Sequence, residues 1–253
     1  MSELYVMDTF VIALALGVLA LFAHVIKGLT GFGPAIVFVS IGSLIYDPIE
    51  VIVLAALLDI IGGGYLSYLN PEFFKNKRYW VPIGSLMVLG AIIGSWTLSV
   101  VPAAVFEYLL GAAIVVISLW FLFGDADPDE GADGSQGIRT LDGMVGAFSG
   151  FCGGFTGMGG PPLIVYLGAK FKKDLFRAVI VPIFLMAAVA RFSTYGYLGM
   201  VDTDALWLYV FPPIGVVFGN NIGDRLFEHV EQKWFTVLIG IVLLLSGLRL
   251  ILN

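Results

Sequence analysis

Apolar and polar positions along this chain fall into long blocks and do not alternate residue by residue. Runs dominated by Leu, Ile, Val, Phe, Ala and Gly occupy Val6 to Lys27, Phe32 to Tyr46, Pro48 to Leu69, Trp80 to Val100 and Ala103 to Phe123, then Leu141 to Gly153, Met158 to Phe171, Phe176 to Leu198, Ala205 to Ile222 and Trp234 to Leu252. Most approach the roughly 20 residues that carry an α-helix across a hydrocarbon layer about 30 Å thick. Lipid offers no partner for a bare peptide group, so a spanning chain must be helical or a closed barrel. The period-two alternation of barrel strands is missing. The pattern predicts an all-α polytopic membrane protein with about 8–10 transmembrane or re-entrant helices. Segments two, six and seven hold only 13 to 15 residues, a length that suits broken or re-entrant helices near the membrane centre.

A polar gap divides the blocks into five and five. Gly124 to Ile138 reads GDADPDEGADGSQGI, with five acids and no base, and predicts a solvated linker. The expected units are 1–123, the linker 124–138, and 139–253. GLTGFG at Gly28 to Gly33 aligns with GFTGMG at Gly154 to Gly159, and Gly90 and Gly94 align with Gly215 and Gly219 at a similar offset. Two matches in the same order argue for duplication. Basic residues sit at Lys75, Lys77 and Arg78, at Arg139, at Lys170, Lys172, Lys173 and Arg177, and at Arg225 and Lys233, whereas the connections Asp47 to Glu50, Val101 to Ala104 and Met200 to Asp204 have none. Because basic loops stay in the cytoplasm, the linker is expected inside and both termini outside. Each half then makes an odd number of crossings, so the second is inverted relative to the first. That is the organisation of many secondary transporters. Ten full spans and six spans with two re-entrant hairpins fit the loops equally well.

Composition agrees and removes other classes. Hydrophobic residues make up 59% of the chain and charged residues 13%, against about a quarter charged in soluble domains, and the mean hydropathy is +0.97. A net charge of −6 without a Lys/Arg cluster argues against a nucleic-acid partner. Cys152 is the only cysteine, which excludes an internal disulfide and a four-cysteine metal site. The first apolar run lacks a basic n-region and a cleavage pattern, and is expected to be a retained span.

The glycine motifs carry the candidate chemistry. Thr30 and Thr156 are candidate N-caps, and Gly31 and Gly33, with Gly157, Gly159 and Gly160, would expose amides at the start of a short helix. Such amides, aided by the helix dipole, bind anions. The competing reading is close helix packing through small residues, as membrane bundles commonly use. Ionisable residues inside apolar segments mark function or pairing; here they are His24, Lys27, Asp59, Glu107 and Arg191. Lys27 either draws an anion towards the amides or snorkels. Matching Gly64-Tyr65 to Gly196-Tyr197 makes Asp59 and Arg191 equivalent and able to pair. Arg191 suits an oxyanion, and Asp59 either carries a coupling proton or neutralises the arginine. His24 is a candidate proton relay or an ordinary bonded histidine. Asn220, Asn221 and Asp224 read as interhelical contacts, and Glu107 as a residue near the outer end of its span.

The stretches KGLTGFGPAIVFVS at Lys27 to Ser40 and GFTGMGGPPLIVYLG at Gly154 to Gly168, set in this layout, resemble the sulfite exporter TauE/SafE family over nearly the whole chain. The resemblance implies export of sulfite, an organosulfonate or a related small sulfur anion across a prokaryotic inner membrane, with Gly28, Thr30, Gly31, Gly33, Gly154, Thr156, Gly157, Gly159 and Gly160 on the repeated motif. Phe32 and Pro34 depart from the common glycine run. No GxxxxGK[ST] loop is present, so alternating access would be driven by the solute gradient or by a coupled proton or sodium. No cofactor and no enzymatic activity are expected, and homo-oligomers are compatible with the sequence. Two other classes compete with this reading. One is a channel for the same anions. The other is an intramembrane hydrolase built on Ser149 in AFSG with His24 as base, for which neither HExxH nor GxSxG is present.

Overall fold

A computed structural model of the protein describes residues 2–30, 33–123, 139–168, 170–171, 173–201 and 206–226, with 244 and 248. The acidic linker and, apart from those last two residues, the tenth apolar segment lie outside the described residues. Nine helices follow one another among the described residues: α1 Ser2–Thr30, α2 Pro34–Gly42, α3 Pro48–Leu69, α4 Lys77–Val100, α5 Ala103–Phe123, α6 Thr140–Thr156, α7 Gly160–Gly168, α8 Lys173–Tyr197 and α9 Phe211–Leu226. Phe10–Gly28, Pro48–Leu69, Pro71–Val100 and Leu175–Tyr197 are each long and apolar enough to cross a membrane. Large apolar side chains such as Phe22, Ile93, Val116, Phe148 and Phe218 lie on the outside, where a soluble protein would carry charge and a membrane protein meets lipid. The architecture is the all-α membrane protein that the apolar blocks predict.

Local chemistry sets the helix ends. Asp47 caps α3 by accepting from the amides of Ile49 at 2.9 Å and Glu50 at 3.1 Å, with Pro48 in the first turn. Asp142 accepts from the Arg139 amide at 2.6 Å at the start of α6. The ninth apolar block divides: Leu206–Tyr209 forms a 3₁₀ turn and the α-helix begins only at Phe211. Pro212 and Pro213 fit a first turn, where their missing N–H groups are not needed.

Two glycine seams hold the bundle together, and both join parallel helices. Along α4 and α6, a Cβ on Gly90 or Gly94 would strike the backbone at Ala147 and Phe151, and one on Gly150 or Gly154 would strike Met87 and Ala91. Along α1 and α9, Gly215, Gly219 and Gly223 meet the carbonyls of Gly17, Leu21 and Val25. A Cβ on Gly28 would lie 2.7 Å from the Asn220 oxygen and the Asp224 nitrogen, while the same atom on Gly154 would meet the Ala91 oxygen and the Ser95 nitrogen. Gly28 and Gly154 are the matched motif glycines, so the two seams share one register. That register sets Gly219 and Gly223 opposite Gly90 and Gly94, one turn beyond the pairing with Gly215 and Gly219 suggested by sequence. Backbones this close gain dispersion and weak polar contacts that larger side chains would prevent. Between the seams α3 crosses α8 in antiparallel sense, with Gly63 on Leu185 and Asp59 on Arg191.

Candidate functional site

Both glycine motifs interrupt a helix, in a manner different from the expected threonine caps. Thr30 closes α1 and Thr156 closes α6, and neither begins the helix that follows. The Thr156 hydroxyl donates back to the Cys152 carbonyl at 2.8 Å, a bond that prolongs the preceding helix, and accepts from the Met158 amide at 3.3 Å. The turn is made by glycine in the left-handed region: Gly33, at φ 89°, caps α2, and Gly157, at φ 77°, ends α6. Gly31 and the Thr30 side chain lie outside the described residues. Proline thins the supply of amides at each restart. Pro34 opens α2, so Ala35 and Ile36 carry its first N–H groups, and Pro161 and Pro162 remove two from the first turn of α7.

The breaks face one cavity. Its walls come from Lys27 at the end of α1, Gly33 to Ile36 on α2, Asp59 on α3, Met87 on α4, Gly150, Gly153 and Gly157 to Gly160 around the second break, and Phe184, Ala187 and Arg191 on α8. Three charges sit on it, two of them buried and Asp59 half-buried. Asp59 bridges the two cations, with Oδ1 3.1 Å from Lys27 Nζ and Oδ2 2.8 Å from Arg191. Lys27 is 3% exposed and Arg191 5%, so this lysine does not snorkel to water. Arg191 also donates to the carbonyls of Gly153 at 3.0 Å and Gly157 at 3.1 Å at the C-terminal end of α6, where the Gly153 carbonyl also accepts the Gly157 amide. Among the described residues, two cations and one carboxylate line the cavity, a balance of one positive charge that favours an anion there.

The remaining residues singled out by sequence take other places. Gly28 and Gly154 lie in the helix seams and are not among the residues that line the cavity. His24 is buried, its Nδ1 donates to the Ala20 carbonyl at 3.0 Å, and its Nε2 has no partner among the described residues. The Ser149 hydroxyl donates to the Gly159 carbonyl, and so Ser149 and His24 do not form the hydrogen-bonded dyad a hydrolase would need. Asn220 donates to Gly62, Asn221 to Tyr65, and Asp224 pairs with Arg177 at 2.6 Å, all between helices. Glu107 is half-buried on α5. Sequence reasoning passed over Gly150, Gly153, Met87 and Phe184, which carry no charge and reach the cavity only through helix crossing, and Met158, which lies within the second glycine motif but was not singled out there. It also passed over Asp142, fully buried, whose carboxylate holds Lys170 at 2.6 Å and ties the start of α6 to the end of α7.

No solved structure matches the chain. The probable membrane transporter protein YunE of Bacillus subtilis (strain 168) is 25% identical, in an alignment that covers 96% of this chain and 97% of the relative. The sulfite exporter TauE/SafE family matches residues 16–250. With that match across almost the full length, on a membrane bundle of apolar helices, the chain belongs to the sulfite exporter TauE/SafE family and is a multi-pass membrane transporter.

Proposed function

We propose that the protein is a secondary transporter that exports a small sulfur-containing anion, sulfite or an organosulfonate, by alternating access around the cavity between the two helix breaks. The observation that carries this reading is the convergence of both breaks on one cavity holding Lys27 and Arg191. Lys27, Gly33, Gly157, Gly159, Gly160 and Arg191 are the proposed binding residues. The guanidinium contributes planar, directional donors and the lysine a point charge. The shared register of the two seams and the antiparallel crossing of α3 and α8 support two inverted repeats, 1–123 and 139–253, with the site between them as in other inverted-repeat transporters. In a prokaryotic inner membrane the positive-inside rule sets the linker in the cytoplasm and both termini outside. The solute gradient, or a proton or sodium ion, supplies the energy.

The test is flux. Proteoliposomes carrying the pure protein should release labelled sulfite or a sulfonate faster than empty vesicles and saturate with concentration. Equal release from both, for every sulfur anion tried, would end the reading, and currents without saturation would make the protein a channel.

A further inference from the structure

The cavity's charge can be counted, and the count selects among anions. Lys27 and Arg191 contribute two positive charges and Asp59 one negative, a sum of one positive charge. The helix ends around them cancel, because α2 and α7 present N-termini and α1 and α6 present C-termini, each worth about half a charge. No other charged side chain lines the cavity among the described residues. His24 lies behind Gly62 with Nδ1 committed to the Ala20 carbonyl, α9 brings the neutral Asn220 against α3, and Arg177 near the Gly28 carbonyl is matched by Asp224.

We infer that Asp59 is the charge-selectivity residue of this site, so that it accepts monoanions, such as a sulfonate or a singly protonated oxyanion, and rejects dianions. The inference rests on the transport reading above. A monoanion neutralises the cavity with Asp59 in place. A dianion leaves an excess negative charge beside the Asp59 carboxylate, where the repulsion is stronger than in bulk water. Asp59 also holds both cations, one with each oxygen, so a dianion would have to displace it or wait for its protonation.

Methanesulfonate and sulfate are suitable probes because their charges are fixed around neutral pH. In proteoliposomes of the full chain, the wild type should carry labelled methanesulfonate about tenfold or more faster than labelled sulfate. Asp59→Asn raises the cavity by one charge and should shift the ratio towards sulfate by about tenfold or more. Lys27→Met, which brings the count to zero, should lose methanesulfonate flux, and the double variant K27M/D59N, which restores one positive charge, should regain it. A purely structural ion pair would show no such rescue. If the wild type carries sulfate as fast as methanesulfonate, the inference fails while transport stands, and this comparison needs no variant to fold. If the folded double variant is no better than K27M, it fails as well. If the wild type moves no sulfur anion at all, the transport reading itself is lost.

Discussion

Arg191 does more with one side chain than any other residue on the cavity. It pairs with Asp59 and also closes the carbonyl end of α6 at Gly153 and Gly157. Arg191→Ala should therefore abolish flux and also lower the melting temperature in detergent, since breaking a buried ion pair from one side costs about 3–5 kcal/mol. Arg191→Lys keeps the charge but not the fork, and should retain more stability than transport. Full flux in either variant would remove Arg191 from the site. The two left-handed glycines offer a second contrast. An alanine at Gly33 would meet nothing within 4 Å, whereas one at Gly157 would press on Val39 at 3.0 Å and Ile52 at 3.1 Å. Both substitutions strain the backbone by about 1–3 kcal/mol, but only Gly157→Ala adds overpacking, so it should melt lower; equal melting points would contradict this account. The chain announces Asp59 and Arg191, because a charge within an apolar block is conspicuous. The threonines mislead because the sequence does not reveal that the helix before each one continues through it.

At the scale of elements, the glycine seams fix which helices run side by side. Gly90→Ala or Gly154→Ala should each destabilise the bundle by about 1–3 kcal/mol, as overpacking does. Gly196→Ala should be neutral or stabilising, because a Cβ there finds open space on an exposed helical face. Thermal unfolding of the three variants decides it, and a Gly196 variant as damaged as the other two would mean the seams are not special. That α4 and α9 carry glycine spines is legible from the spacing of Gly90, Gly94, Gly215, Gly219 and Gly223. Their one-turn difference in register is not, since a repeat every four residues fits its partner equally well at either step. The cavity's apolar walls were hidden for a related reason. Met87 and Phe184 look like any lipid-facing or core residue until two helices cross.

The whole molecule is polarised along the direction in which α4 and α8 run. Lys75, Lys170, Arg177 and Arg225 sit near one set of helix ends, and Trp96, Tyr197 and Trp207 near the other. Aromatic rings of this kind favour the headgroup level. In a Cys152→Ser background, a single cysteine at Lys75 or Arg225 should react with an impermeant maleimide only from the cytoplasmic side, and one at Asp47 or Gly199 only from outside. Labelling of all four from one side would refute the orientation. The two hairpins that flank the glycine breaks, α1–α2 and α6–α7, are also fastened differently. Stepping back from the second hairpin by the interval between the glycine motifs, the positions of Asp142 and Lys170 become Leu16 and Leu44. The second hairpin is therefore riveted at its base by opposite charges, where the first has two leucines in the apolar core. Under the transport cycle proposed above, we expect the first hairpin to be the part that slides and the second to be the post against which it moves.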